Sequence, residues 1–268
     1  MVTEYLGAAA AVVRRDVRTA FTYRTGLVTQ LLGGFFSLTL FFYVSRLIRV
    51  STFASPDAYY AFVVVGLLIL QIVNSVLQSP PARLRQEMVA GTLERLVISP
   101  FGATGALAAS LVFPVVNALV LGLAMLGSAA LVFDLSVRWS TAALAVPVAL
   151  LGALAFAPFG LLLMAVVLVM KQATAGATWI IAGLSLIAGL YFPVELLPDW
   201  IGWASAVQPF TPTVDLLRNV LVGTPLPEPA WQALAGIVAF IAILVPASLL
   251  AVRLSLRIGC RRGTLTEY

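Results

Sequence analysis

Six uncharged and strongly apolar stretches constrain the fold of this chain more than any other feature. They cover residues 27–45, 59–77, 106–133, 142–170, 174–192 and 231–252. A helix needs about 20 mainly apolar residues to cross a bilayer, and each stretch is close to that length or longer. Only 10% of the 268 residues are charged, whereas soluble domains carry about 25%. The sequence predicts an all-α polytopic membrane protein, one domain over residues 1–268, with six transmembrane helices.

Prolines interrupt the two longest stretches, which exceed a single bilayer crossing. Pro114 lies in the third stretch, and Pro147 and Pro158 lie in the fourth. A proline inside a helix removes a backbone donor and clashes with the preceding turn. We therefore expect kinks at these positions.

Positive charge is divided unevenly between the two sides of the predicted topology. One side carries Arg14, Arg15, Arg18, Arg24, Arg83, Arg85, Arg95, Lys171, Arg253, Arg257, Arg261 and Arg262. The other side carries Arg46, Arg49, Arg138 and Arg218. Cytoplasmic loops of membrane proteins are enriched in Lys and Arg. The bias predicts that both termini and the loop at 78–102 face the cytoplasm. Cations that lie at the ends of spans indicate topology rather than nucleic-acid binding.

Residues 1–26 are too rich in charge to form a span. The stretch EYLGAAAAVVRRDVRTAFTYR mixes alanine and valine with a basic cluster at Arg14, Arg15 and Arg18. This mixture is typical of an amphipathic helix that lies along the inner membrane surface. The alternative is an ordinary positively charged flank of the first span.

A compact charged segment, residues 78–102, separates the second and third apolar stretches. Its centre reads RQEMVAGTLERLVISP from 85 to 100. Pro80 and Pro81 are expected to end the second span. The charged residues Arg83, Arg85 and Glu87 follow, and Gly91 then breaks the run.

Beyond Gly91 the spacing predicts a second short helix. Thr92 can cap it, Glu94 lies near its positive end, Arg95 follows, and Leu93, Leu96 and Val97 form one apolar face. A helix of about seven residues is not stable alone in water. Its apolar face must therefore pack on lipid headgroups or on another protein. The alternative is a surface turn that is amphipathic by chance.

Prolines also divide residues 193–230, which we call the proline-rich segment. Its first piece contains Pro193, Glu195, Pro198, Trp200 and Trp203. About ten helical residues there would form half a span, so we expect this piece to enter the outer leaflet and return. The alternative is an interfacial loop anchored by tryptophans. The next piece predicts a helix that ends at Gly223, with Val214, Leu217 and Leu221 on one face and Asp215 and Arg218 on another.

Three polar residues, Gln71, Asn74 and Gln78, form one stripe on the second span at i, i+3 and i+7. Polar groups in a membrane need partners, so the stripe is expected to face protein or a wet path. Packing between helices and lining of a substrate path both fit this spacing.

Several residue types that support catalysis or ion coupling are missing from the sequence. The chain has no histidine, a single cysteine and no acidic or basic residue inside the predicted spans. The sole lysine, Lys171, is not part of a phosphate-binding glycine-rich loop. We expect no cofactor or metal in this chain, and any energy from ATP must come from a partner.

Two motifs resemble one known family. GTLERLVISP, preceded by RQEMVA, resembles the coupling-helix segment of type-2 ATP-binding-cassette exporter permeases, and YFPVELLPDW at 191–200 resembles the family's stretch between the fifth and sixth spans. The layout of the whole chain is similar as well. The resemblance implies a coupling helix between spans two and three and a re-entrant outer gate between spans five and six.

The resemblance also implies roles and partners. Residues 85–96 would lie in a groove of a separate ABC ATPase subunit, which holds ATP and Mg²⁺. The packing face would be Leu93, Leu96 and Val97, the polar contacts would be Glu87, Glu94 and Arg95, and the basic helix with Arg14, Arg15 and Arg18 would contact ATPase and lipid headgroups. Two permease chains and two ATPase chains would form the transporter.

The sequence thus favours the permease subunit of an ATP-driven exporter in a bacterial inner membrane. Apolar spans without a charged pocket suggest an amphipathic or hydrophobic cargo such as a drug, an antibiotic or a lipid. Lipid-linked polysaccharide is the second cargo class. An energy-independent channel or secondary transporter is the competing function, and a membrane-embedded enzyme is disfavoured because the residues for it are missing.

Overall fold

The described residues of this computed structural model are 10–11, 13–19, 22, 24–47, 53–92, 102–170, 174–187, 189–191 and 208–262. Residues 13–19 are helical and are called the N-terminal helix. The helices that follow are α1 Arg24–Leu47, α2 Pro56–Val89, α3 Gly102–Ala109, α4 Val112–Val132, α5 Trp139–Ala142, α6 Ala145–Met170, α7 Thr174–Ile187, α8 Phe210–Val222 and α9 Ala230–Arg262. Within this part of the chain no residue belongs to a strand.

Five helices in the described ranges are long and apolar enough to cross a membrane. They are Thr25–Leu47, Pro56–Val89, Gly102–Val132, Ala145–Met170 and Ala230–Gly259. These helices coincide with five of the six predicted spans, which confirms an all-α polytopic membrane protein. The remaining predicted span, 174–192, overlaps the 14-residue helix α7. Of the five residues beyond α7, the structure describes 189–191, which form a turn and a bend rather than helix. The sixth crossing therefore stays a prediction.

Helix α2 forms the centre of the bundle. The most apolar part of α2 is 78% buried and that of α6 is 67% buried, against 6% for α1 and 17% for α9. Helices α1, α4, α6, α7 and α8 all pack on α2. Burial on nearly every side explains why this helix is rich in valine, leucine and isoleucine. Much of the apolar surface of α1 and α9 is exposed, although α9 packs on α6.

Helix α2 runs through Pro80 and Pro81 to Val89, so the prediction that these prolines end the second span is wrong. Pro80 lacks the N–H that would bond to the carbonyl of Val76. That carbonyl instead faces α6 at Gly160, where an added Cβ would lie only 2.5 Å from the oxygen. Close packing on a neighbouring helix therefore covers the carbonyl that the proline leaves without a donor.

The third and fourth apolar stretches are handled differently. The third is interrupted at residues 110–111, where α3 ends and α4 begins just before Pro114. In the fourth stretch, helix α6 begins after the short helix α5 and continues through Pro158 to Met170. The helix is therefore broken in the third stretch but not at Pro158, which is buried inside the continuous helix α6.

Candidate functional site

The N-terminal helix packs against the C-terminal end of α2 through a buried acid. The Asp16 side chain is almost fully buried, and its carboxylate lies 2.6 Å from the guanidinium of Arg83 on α2. The Arg83 guanidinium also lies 4.7 Å from the centre of the Phe113 ring, at the start of α4. Asp16 lies within the basic N-terminal stretch, and the sequence reasoning did not single it out. Its position among three arginines was the available signal.

A second ion pair lies beside the first. Arg15 donates to the carboxylate of Glu87 at 2.9 Å and also contacts Asp16 at 3.2 Å. The Thr92 hydroxyl donates to the same Glu87 carboxylate. Together Arg15, Asp16, Arg83, Glu87 and Thr92 form what we call the ion-pair cluster. It joins the N-terminal helix, the end of α2 and the residue that leads into 93–100.

The turn after α2 is closed by backbone hydrogen bonds around a glycine. Gly91 has a φ of +66°, a left-handed conformation that residues with a Cβ adopt at a cost. The N–H of Thr92 donates to the carbonyl of Glu87, and the N–H of Gly91 donates to the carbonyl of Met88. This is the Schellman arrangement of a helix C-terminus. It ends α2 at the glycine, as the sequence predicted, and fixes the direction in which the chain leaves.

The other predicted residues of this region divide into two groups. Arg14, Arg18 and Arg85 are exposed, and Arg14 and Arg18 line an open groove of about 930 Å³ along the N-terminal helix together with Arg15. The predicted coupling residues Leu93, Glu94, Arg95, Leu96 and Val97 lie outside the described residues. The capping of a second helix by Thr92 is a prediction for the same reason.

The polar stripe lies on the least buried face of α2. Gln71 and Asn74 are half-buried and Gln78 is exposed, although most of the helix around them is buried. The Asn74 amide donates to the carbonyl of Leu70 at 2.9 Å, and the Gln78 amide donates to Asn74 at 2.7 Å. These bonds remain within α2. The rest of the chain covers the stripe only in part.

The proline-rich segment is described from residue 208 onward. Its predicted first-piece residues Pro193, Glu195, Pro198, Trp200 and Trp203 lie outside the described residues. The predicted helix is α8, which ends at Gly223 with a φ of +84°. Val214, Leu217 and Leu221, which were predicted to share one face, are all buried, and α8 packs on α2 and α6.

Arg218 is also buried, so the prediction that it lies on a different face from the apolar residues of α8 is wrong. Its side chain is only 4% exposed. It follows Val214 by four residues and precedes Leu221 by three, which places all of them on one helical stripe. The spacing was therefore visible in the sequence, although the partners of the guanidinium were not.

The geometry defines a multi-pass helical membrane protein with an ion-pair cluster at one end of its central helix. A comparison with protein families matches the ABC-2 type transporter model over residues 8–222. A comparison with curated proteins gives no match. Because the family match covers most of the chain, the protein belongs to the ABC-2 type transporter family. It is a permease, the transmembrane subunit of an ABC transporter, and the family resemblance seen in the sequence is confirmed.

Proposed function

We propose that this permease is the membrane subunit of an ATP-driven exporter, powered by a separate ABC ATPase that binds ATP and Mg²⁺. The ion-pair cluster is the observation that carries the proposal. It holds the start of the predicted coupling segment to both the N-terminal helix and α2. A push on residues 93–97 by the ATPase would therefore act on two helices at once.

The continuity of α2 supports transmission from one membrane face to the other. A helix of 34 residues is about 50 Å long, enough to cross the whole bilayer. Its C-terminal end carries Arg83 and Glu87 of the ion-pair cluster, and its N-terminal half contacts residues 189–191 and α8. A tilt of α2 driven at the cluster would reach both of these elements.

The cargo that fits best is an amphipathic or hydrophobic compound, such as a drug, an antibiotic or a lipid, taken from the cytoplasm or the inner leaflet. The polar residues Gln71, Asn74 and Gln78 on a half-exposed face would line its path. Lipid-linked polysaccharide is the second cargo class.

The assembly we propose contains two permease chains, identical or closely related, and two ATPase chains. The exposed apolar faces of α1 and α9 support further contacts in the membrane, with a second chain and with lipid. The groove lined by Arg14, Arg15 and Arg18 suits anionic lipid headgroups. Both termini would face the cytoplasm of a bacterial cell, and the first piece of the proline-rich segment would form a re-entrant outer gate.

Co-purification tests the proposal directly. The tagged full-length permease is isolated from its own cells in mild detergent, and the bound proteins are assayed for ATP hydrolysis. We expect a soluble ABC ATPase to co-purify and to hydrolyse ATP faster with the permease than alone. Compounds that change this rate are then screened as cargo.

The opposite result would favour the competing function. If the purified chain alone takes up a solute, driven by an ion gradient, and no ATPase binds, the protein is a channel or secondary transporter. A charged residue inside the spans is the usual requirement for ion coupling, and the sequence offers none by the predicted boundaries.

A further inference from the structure

A buried arginine fastens α8 to the end of α7 and to α2. The Arg218 guanidinium donates to the carbonyl of Gly189 at 2.8 Å and lies near the carbonyl of Phe62 at 3.4 Å. Its central carbon lies 3.3 Å from the centre of the Phe62 ring, and Asp215 is 3.8 Å away on the same helix. One side chain thus joins three parts of the chain that are far apart in sequence.

The two residues after Gly189 are held just as closely. The carbonyl of Leu190 lies against α2 at Gly66, where an added Cβ would be only 2.3 Å from the oxygen. The carbonyl of Tyr191 accepts a hydrogen bond of 3.4 Å from the Tyr59 hydroxyl. The three successive carbonyls of residues 189–191 therefore face Arg218, Gly66 and Tyr59 in turn. Of these three partners, only Arg218 is charged.

A charged side chain at this contact could be accommodated in a closed arrangement and in an open one. A guanidinium on a buried apolar stripe needs acceptors, and the carbonyls and the aromatic face of the closed arrangement supply them. If residues 189–191 move away from α2, water can reach the guanidinium and replace those acceptors. An apolar residue at the same position would pack equally well when closed, but it would oppose the open state because it would be exposed to water.

We propose that Arg218 is a positioning residue that latches residues 189–191 over α2 and so keeps the outer side of the permease closed until ATP binds to the partner. The inference rests on the proposed function for its direction and for the role of ATP. The latch contacts themselves are independent of it. When α2 tilts, Gly66 moves away from the Leu190 carbonyl. The Arg218 guanidinium then donates its hydrogen bond to water instead of to the Gly189 carbonyl.

Cysteine labelling from the outside tests the latch in the intact transporter. Leu190 is fully buried in this structure, so Leu190→Cys in a Cys260→Ser background reports the opening of residues 189–191. A membrane-impermeant maleimide is applied to cells that lack the partner ATPase and to cells with a variant of this ATPase that binds ATP but cannot hydrolyse it. With Arg218 intact we expect slow labelling that rises when ATP is bound.

Arg218→Gln is expected to raise the labelling rate in cells without the ATPase about tenfold, the change that corresponds to the loss of one charge-assisted hydrogen bond. It is also expected to remove the dependence on ATP, a change that a purely structural role would not cause. Arg218→Lys keeps the charge but cannot bridge both acceptors, and an intermediate rate is expected. Gly66→Ala displaces Leu190 from the other side and should reproduce the fast rate with Arg218 present.

The matched control is Arg138→Gln, which removes an exposed arginine near the end of α8. It should label as slowly as the parent. The proposal is overturned if folded Arg218→Gln or Arg218→Lys labels no faster than the control, or if only Gly66→Ala responds. It is also overturned if ATP leaves labelling of the parent unchanged while an ATPase is bound. If no ATPase binds, the proposed function fails, and the comparison of variants in cells without the ATPase still decides whether Arg218 holds these residues closed.

Discussion

The carboxylate of Asp16 lies 2.6 Å from the guanidinium of Arg83, across 67 positions of sequence. This ion pair seats the N-terminal helix on the end of the central helix. Asp16 is almost fully buried, whereas Arg83 is about one-third exposed. Water can therefore solvate the Arg83 charge in part, but the Asp16 charge is stabilised mainly by its ion pair. The two helices would separate more easily if the pair were broken, because the remaining charge would lose its partner.

Replacing Asp16 with Asn should loosen the N-terminal helix. We expect a loss of about 1–3 kcal/mol in the local stability of that contact, since the Arg83 charge would lose its anionic partner. Limited proteolysis within the first 25 residues measures the effect. Arg14→Gln is the control, because Arg14 is exposed and lies away from the pair. Equal protection in Asp16→Asn and in the parent would contradict the structural role of the pair.

Reversing the second ion pair should separate coupling from folding. Arg15→Glu and Glu87→Arg each oppose like charges where the pair now lies 2.9 Å apart. The double variant restores opposite charges at this pair but leaves a carboxylate at position 15 beside Asp16, which Arg15 contacts at 3.2 Å. We expect each single variant to lower permease-stimulated ATP hydrolysis several-fold and the double variant to recover part of it. The contact is partly exposed, so the effect on stability alone should be small. Arg14→Glu, which changes a neighbouring exposed arginine, serves as the control.

Gly91 should be sensitive to backbone strain rather than to size. Among the described residues, no atom beyond its chain neighbours lies within 4 Å of a Cβ built on it, but its φ of +66° costs other residues about 1–2 kcal/mol. Gly91→Ala and Gly91→Val are expected to redirect the chain into 93–100 and to uncouple ATP hydrolysis from transport. Gly91→Asn should retain more coupling, because asparagine tolerates the left-handed conformation. Equal behaviour of alanine and asparagine would argue against this explanation.

Gly160 should be required for the packing of α6 on α2. Gly160→Ala brings a methyl group to 2.5 Å from the Val76 carbonyl, so we expect a loss of about 1–3 kcal/mol in the free energy of unfolding. Gly127→Ala, where no atom from another described part of the chain lies within 4 Å, should be neutral or should stabilise α4 by about 0.5–1 kcal/mol. Thermal unfolding in detergent compares the two. Similar shifts in both variants would show that the Val76 contact is unimportant.

Properties that depend on local sequence were predictable. Apolar length identified five helices long enough to cross a membrane, and left-handed glycines ended two helices where the sequence placed Gly91 and Gly223. The family was predicted from two short motifs, and the family match over residues 8–222 confirms it. Local sequence did not predict that α2 continues through Pro80 and Pro81, nor that Asp16 and Arg218 are buried.

The sequence by itself determined that this chain crosses a membrane as helices and where two of the helices end, because apolar length and backbone conformation are properties of neighbouring residues. Only the tertiary structure decided that α2 passes through Pro80 and Pro81, since the Val76 carbonyl, which Pro80 leaves without a donor, packs on Gly160 of another helix. It also decided the burial of Asp16 and Arg218. A buried charge is stable only beside its partners, and those partners come from distant parts of the chain.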